Sequence, residues 1–346
     1  MKDHKTAIRA GLEAMYLEKS KTSPMDFAKT TAMFMAYCQR YMDDNYTIVE
    51  AEAEREFEVG TTGYRIYGKL DTIVKDGKKL IQLEHKTGTR DADSDNVYPF
   101  MTANVNEQVT LYSMLMGANG EPLSYTLIDY IKVPTLRPKT VPSGVTSESG
   151  GTVREITEKG TYLGEEVTQD TRDMYASYPK SKENAECYRI RVTQHIAENP
   201  DKYFARSSPL FRSNPEMLDE LRSMELVLGD IEQCQETGKD HFYKNTSQCL
   251  NYGSKCEYMS LCDGTSEEDN GDWEPRQGGN EKGSLKLSYS KTTCFKSCRR
   301  KFYYRYEQSI QKRGYDTQSL RIGSLFHLAV EFYFRELISQ QENNDE

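Results

Sequence analysis

The stretch that decides the fold is residues 64–87, which read YRIYGKLDTIVKDGKKLIQLEHKT. Asp76-Gly77, a dipeptide that favours a tight turn between antiparallel strands, separates two runs in which apolar and charged residues are interspersed. Side chains two positions apart on a strand share a face, so Glu84 and Lys86 project together. The pattern predicts a β-hairpin with charged groups on one face.

The hairpin brings Asp71 near Glu84 in either of two registers. A two-residue loop pairs Asp71 with Gln82 and makes Glu84 a diagonal neighbour, whereas a loop longer by two residues pairs Asp71 with Glu84. Two adjacent carboxylates favour a divalent cation, and the nearby ammonium of Lys86 can stabilise charge that develops on a substrate. The alternative is an ordinary charged hairpin that faces solvent.

Composition narrows the class of protein. The chain has 346 residues, 36% hydrophobic and 29% charged, and a net charge of −9, which argues against a protein that coats nucleic acid. Residues 286–313 nevertheless hold nine Lys/Arg with tyrosines between them, typical either of a DNA-contacting groove or of a solvated helix face. With no long apolar run and no apolar leader, we expect a cytoplasmic protein without a membrane segment.

Turn and composition signals divide the chain into three parts. Helical spacing over 1–45 leads into strands at 47–59, 64–74 and 80–87, a helix at 102–117 and a strand at 125–133. The acidic, Gly-rich stretch 263–284 lacks an apolar pattern and is interpreted as a flexible linker. We therefore predict a core at 1–262, the linker, and a segment at 285–346 that packs onto the same domain.

Four motifs together resemble those of the RecB-like PD-(D/E)XK nucleases. They are Gly68-x-x-Asp71, Glu84-x-Lys86-Thr87, Gln108-x-x-x-Tyr112 and Gly323-x-x-x-His327. The resemblance implies a Mg²⁺ or Mn²⁺ site and a set of residues around it. Metal ligands would be Asp71, Glu84, His327 and the carbonyl of His85, and the catalytic set would add Lys86, Gln108 and Tyr112. Taken singly, a histidine on an apolar helix or a core tyrosine is more often structural.

Three cysteines lie close together in the sequence at Cys249, Cys256 and Cys262, a density that indicates metal in a chain without a secretion signal. Their spacing does not separate zinc from an iron–sulfur cluster, and free core thiols are the remaining alternative. Ser288 and Cys298 are ten residues apart, as in the opening signature of the same family. The resemblance to AddB-like and CRISPR-associated RecB-like exonucleases implies a [4Fe–4S] cluster on these three cysteines and Cys298.

The order of these motifs differs from that of the family. There the cysteine signature and the histidine helix come first, and the hairpin and the three cysteines follow. Here the signature and the histidine come last, so the resemblance implies a circularly permuted chain. The expected fold is α/β, a restriction-endonuclease-like core with a central mixed sheet flanked by helices, plus a helical iron–sulfur lobe.

The resemblance implies a metal-dependent DNA nuclease. Analogy favours an exonuclease on DNA ends or single strands, with recombination, repair or CRISPR-adaptation proteins as candidate partners; such analogy is associative. Two alternatives stay open: a structure-specific or restriction-type endonuclease, and a non-catalytic DNA-binding module held by zinc.

Overall fold

A computed structural model describes residues 3–59, 63–93, 106–144, 151–251, 254–268, 270–276, 286–314 and 318–345. The helices are α1 (His4–Leu17), α2 (Pro24–Tyr41), α3 (Glu107–Ala118), α4 (Gln169–Ser177), α5 (Ala185–Glu198), α6 (Pro200–Tyr203), α7 (Asn214–Thr237), α8 (Met259–Asp263), α9 (Tyr289–Ser297), α10 (Arg299–Phe302) and α11 (Gln318–Asp345). The strands are β1 (Thr47–Glu58), β2 (Arg65–Asp76), β3 (Lys79–Gly88), β4 (Tyr125–Lys132), β5 (Thr161–Tyr162), β6 (Glu165–Glu166), β7 (Phe204–Arg206), β8 (Leu250–Asn251), β9 (Ser254–Lys255), β10 (Trp273–Pro275), β11 (Lys286–Leu287) and β12 (Ile310–Lys312).

The principal sheet is mixed. Its order is β1-β2-β3-β4-β7, and β11 adds to β2 in parallel. The strands β1 to β3 are antiparallel neighbours, β3 and β4 are parallel, and β4 and β7 are antiparallel. Helix α3 lies in the crossover between β3 and β4, as a parallel pair requires, since its strands cannot be joined by a tight turn.

Helices cover both faces of this sheet. On one face, α1, α2, α5 and α11 share an apolar core with Val74, Ile81 and Leu83. On the other, α3 and α7 pack over Ile66 and Leu70. The α/β prediction of a mixed sheet flanked by helices is confirmed. None of the helices in the described ranges is long and apolar enough to cross a membrane.

The segment predicted as a linker contains regular structure. Strand β10 pairs with β12, and Trp273 is buried and stacks on Tyr258 with ring centroids 5.5 Å apart. A single tryptophan in a Gly-rich, acidic context carries no periodic signal, which is why the sequence did not indicate this strand. Residues 277–284 of the predicted linker lie outside the described residues.

Candidate active site

The hairpin register places the two carboxylates side by side. Asp76 pairs with Lys79 across a loop in which Gly77 has a φ of +59°, a conformation that glycine adopts readily. The ladder between β2 and β3 runs from this pair to Thr72 with Leu83, so the next position on each strand sets Asp71 against Glu84. The second of the two predicted registers is therefore the observed one, with the turn one residue later than Asp76-Gly77.

Asp71 is held by groups that carry protons or positive charge. Its Oδ2 accepts a 2.7 Å hydrogen bond from the backbone N–H of His85, and its Oδ1 lies 3.7 Å from Nδ1 of His327. Burial by itself would raise the pKa of Asp71, but the interaction with His85 and the charges of His327 and Lys86 together lower it. Asp71 is therefore an anion in the folded protein.

Glu84 has a different environment on the neighbouring strand. Its side chain is buried, and its two oxygens accept hydrogen bonds from Nζ of Lys86 at 2.6 Å and from Nε2 of Gln82 at 2.8 Å. Burial, and after it the negative charge of Asp71, raise the pKa of Glu84 to about 7. The pKa values of the two carboxylates are thus separated, as expected when two acids share one site.

Lys86 links the hairpin to helix α3. Its ammonium also donates to Oε1 of Gln108 at 2.7 Å, and Nε2 of Gln108 donates to the hydroxyl of Tyr112 at 2.9 Å. Positions four apart share one face of a helix, so both side chains reach the lysine from α3. The structure brings together all three of these predicted residues and leaves the ammonium beside Glu84.

Gly68 explains how α3 comes so close to the hairpin. A Cβ atom at this position would lie 2.5 Å from a methyl carbon of Leu115 and 2.9 Å from the ring of Tyr112. Any larger residue on β2 would push the helix away. The glycine of the first motif thus supports the placement of Tyr112 rather than contacting a ligand.

His327 reaches the hairpin from helix α11. The apolar face of α11, including Phe326 and Val330, packs into the core shared with α1 and α2. A Cβ atom on Gly323 would lie 3.0 Å from Oγ1 of Thr87, so the helix passes close to the end of β3. The helix is thereby fixed on the sheet, and His327 meets Asp71 although the two residues are far apart in the sequence.

A further acidic residue, Glu52 on β1, belongs to this group and was not predicted from the sequence. Ligand atoms of Glu52, Asp71 and His327 all lie within 4.8 Å of one another. Glu52 stands in the alternating run AEAEREFE, which is typical of a strand with one solvent-facing side. Nothing in that run distinguishes it from its neighbours, because its role depends on pairing with β2.

The opposite side of His85 is a buried polar network. The hydroxyl of Tyr37 donates to Oδ2 of Asp129 at 3.0 Å and lies 2.8 Å from Nε2 of His85. Asp129 in turn accepts two hydrogen bonds from the guanidinium of Arg206, at 2.5 and 2.7 Å. These groups satisfy one another beneath the sheet, so the strand that carries Glu84 and Lys86 is anchored from behind.

This network leaves one atom that suits a cation nearby. The single proton of the Tyr37 hydroxyl goes to Asp129, so Nε2 of His85 must carry a proton and donate to Tyr37. Nδ1 of His85 is buried without a hydrogen-bond partner and lies 3.5 Å from Oδ2 of Asp71. Together with the carboxylate and imidazole donors, this arrangement fits a divalent metal ion.

The predicted cysteine ligands come from three short pieces of chain. The backbone N–H of Cys256 donates to the carbonyl of Cys249 at 2.8 Å, and the backbone N–H of Asn245 lies 3.4 Å from Sγ of Cys298. Burial, and then the charges of Cys256 and Cys298, raise the pKa of Cys262 to about 11. Among the residues that the structure describes, no three cysteine sulfurs lie within 4.8 Å of one another. A zinc site would need about 3.8 Å between sulfurs, given Zn–S bonds of about 2.3 Å in a tetrahedron.

The basic residues near Cys298 already have partners within the chain. Arg299 forms an ion pair with Asp230, and the guanidinium of Arg300 donates to the carbonyl of Phe242 at 2.7 Å. Lys301 lies 3.5 Å from Glu257. These contacts favour the structural alternative for this part of the basic stretch over an open groove.

Comparison with known proteins gives one match. The model of the PD-(D/E)XK nuclease superfamily matches residues 4–263 and 286–346, which include the hairpin, α3 and α11. Comparisons with curated proteins and with solved structures find no match. Because the matched residues make up nearly the whole chain, the protein belongs to the PD-(D/E)XK nuclease superfamily.

Proposed function

We propose that this protein is a Mg²⁺- or Mn²⁺-dependent deoxyribonuclease with its active site at Asp71, Glu84 and His327. One contact carries the proposal: Nδ1 of His327, on α11, lies 3.7 Å from Oδ1 of Asp71. Glu84 and its ammonium partner Lys86 stand beside this pair, and all four residues lie in the ranges that the superfamily model matches. A divalent ion there would supply Lewis acidity for phosphodiester hydrolysis. Asp71, Glu84, His327 and the carbonyl of His85 would hold it.

The protein's own groups have distinct tasks in this proposal. Lys86 places a positive charge next to the reacting phosphate and orients a water molecule, while Gln108 and Tyr112 hold the ammonium in place. The superfamily implies a DNA substrate, and an exonuclease on ends or single strands, in recombination, repair or CRISPR adaptation, is the form that the RecB-like motifs favour.

We also propose a [4Fe–4S] cluster on Cys249, Cys256, Cys262 and Cys298. The contacts through Asn245 and the mutual influence of the thiols on each other's pKa support a common site. If these cysteines bound zinc instead of a cluster, the carboxylate site would be unchanged and the cysteine region would have a structural role only.

The motif order supports a circular permutation of a core at 1–262 and a segment at 285–346. The second segment completes the first, because β11 pairs with β2 and α11 packs on α1 and α2. The backbone N–H of Asp3 donates to Oε1 of Gln340 at 2.7 Å, so the start of α1 lies beside the last part of α11. A chain in the family's order would run directly from α11 into α1.

A cleavage assay tests the proposed nuclease activity. The purified protein is incubated with linear duplex, circular duplex or single-stranded DNA, each in the presence of Mg²⁺, Mn²⁺ or EDTA. We expect metal-dependent cleavage that requires an end, and a loss of about 10³-fold or more in rate for Asp71→Asn and for Lys86→Ala. Lys79→Ala, an exposed lysine on the same strand, is the control. Cleavage in EDTA, or near-normal rates for Asp71→Asn, would refute the proposed site, and cleavage of circles would establish the endonuclease alternative.

A further inference from the structure

Three carboxylates lie in a row across the first three strands. The strand order is β1-β2-β3, and Asp71 is on the middle strand. The pairs Ala51 with Thr72 and Ala53 with Leu70 set Glu52 against Asp71 on one side, as the hairpin register sets Glu84 against it on the other. Asp71 therefore has an acidic neighbour on both strands.

We infer that Glu52 is a ligand of the divalent cation, supplied by β1 from outside the four motifs. The inference rests on the proposed function and adds a residue to it. Ligand atoms of Glu52, Asp71 and His327 all lie within 4.8 Å of one another, and Glu84 stands beside Asp71 on the other neighbouring strand. Glu52 thus adds a carboxylate to the proposed ligands Asp71, Glu84 and His327, and a set rich in carboxylates with one imidazole suits Mn²⁺ or Mg²⁺.

The backbone at Glu52 departs from strand geometry. Its φ is +57°, a left-handed conformation that residues with a Cβ atom adopt rarely, and no ladder pair forms between it and Asp71. The residues next to Glu52 keep one register, Ala51 with Thr72 and Ala53 with Leu70, and a separate register shift lies between Ile48 and Glu50. The left-handed conformation changes the direction of the Glu52 side chain at the point where β1 passes Asp71 and helix α11.

The electrostatic surroundings of Glu52 also favour an added positive charge. The side chain is 14% exposed, and one oxygen lies 2.5 Å from Nζ of Lys69. The ammonium groups of Lys69 and Lys86 thus stand against the three carboxylates of Glu52, Asp71 and Glu84, and a divalent cation would offset the remaining negative charge.

The same group opens on a cleft that a substrate can enter. The cleft is lined by Glu52, Thr87, Gly323, Ser324, His327 and Glu331. Its walls come from the end of β3, from β1 and from the exposed side of α11. A cation held by Glu52 and His327 would therefore face this cleft and would contact a phosphate that enters it.

Calorimetric titration of the full chain with Mn²⁺, in the absence of DNA, tests the inference. We expect Glu52→Gln to weaken Mn²⁺ binding by about tenfold or more, comparable to the loss of a ligand or its direct support. Glu58→Gln, an exposed residue on the same strand with the same change of charge, should leave the affinity within about twofold. Asp71→Asn serves as the reference for a lost ligand.

A second variant separates ligation from folding. Glycine adopts the left-handed conformation at position 52 without steric cost, so the metal-free Glu52→Gly variant should melt at the wild-type temperature or above it. Mn²⁺ should raise the melting temperature of this variant less than that of the wild type. Wild-type affinity in Glu52→Gln with weakened binding in Asp71→Asn would overturn the role of Glu52 and leave the proposed function intact. A wild-type chain that binds no Mn²⁺ would overturn both.

Discussion

The carboxylate site and the cysteine region are built in different ways. Around Asp71, three strands of ten to twelve residues carry the functional groups, and a buried network holds them from behind. Around Cys256, the chain forms two-residue strands, a five-residue helix and turns, packed on Tyr258 and Trp273. The first region is ordered by the sheet itself.

The difference predicts how each region would depend on the metal centre proposed for it. Ladder hydrogen bonds and core packing position Asp71 and Glu84 whether or not a cation is present. Short elements with few regular hydrogen bonds contribute little free energy of folding, so the cysteine region needs a cross-link among its ligands. We expect removal of the divalent cation to reduce activity and leave the fold, and removal of the cluster to unfold the lobe.

The largest effect should come from Cys298→Ser. Because cluster binding is coupled to folding, we expect loss of iron and sulfide and a fall in melting temperature on the order of 10 °C for a change of several kcal/mol. Cys294→Ala is the matched control, since that buried cysteine lies one turn earlier on α9 and should keep the iron. Iron and zinc analysis with differential scanning calorimetry provides the measurement. If the two variants were equally stable, the cysteine region would not depend on a metal centre for its folding any more than the carboxylate site does.

An intermediate effect concerns Glu84 in metal-free protein. Its pKa is raised from 4.5 to about 7, so the folded state keeps a proton that the unfolded chain has lost. Stability is therefore present below pH 4.5 and is lost as pH rises through about 7, by at most about 3 kcal/mol at 1.36 kcal/mol per pKa unit. Glu84→Gln should gain stability relative to the wild type between pH 5.5 and 8.

Urea unfolding in EDTA at several pH values measures that difference. Comparing the variant with the wild type cancels the contribution of His327, whose pKa is lowered by burial and whose effect on stability has the opposite sign. A free energy difference that stays constant with pH would show that Glu84 is already ionised in the folded protein and that both carboxylates carry charge.

The smallest effect should come from Tyr37→Phe in the network behind the site. Loss of the hydroxyl leaves His85 and Asp129 each without one hydrogen bond, which costs about 1–2 kcal/mol. Tyr41→Phe, whose ring lies 5.0 Å from that of Tyr37, is the control and should cost less than about 0.5 kcal/mol. Chemical denaturation measures both. An unchanged stability in Tyr37→Phe would mean that the strands alone order the site.

Much of this arrangement could be predicted from the order of residues along the chain. Alternation within 64–87 indicated the hairpin and the shared face of Glu84 and Lys86, because the strand period is a local property of the backbone. Helical spacing placed Gln108 and Tyr112 on one face for the same reason. The predicted mixed sheet with helices on both faces also agrees with the structure.

Other features depended on contacts between distant segments. Glu52 looks like any acidic residue of an alternating strand until β1 pairs with β2, and the strand at 273–275 exists only because β12 lies beside it. The sequence likewise shows His85 as a residue between Glu84 and Lys86, with no sign of Tyr37 and Asp129 behind it. The sequence by itself determined which residues carry the chemistry and how neighbours on one element are oriented, since both follow from local geometry. Only the tertiary structure decided which side chains from separate elements meet at Asp71, because register, helix docking and burial are properties of the folded chain as a whole.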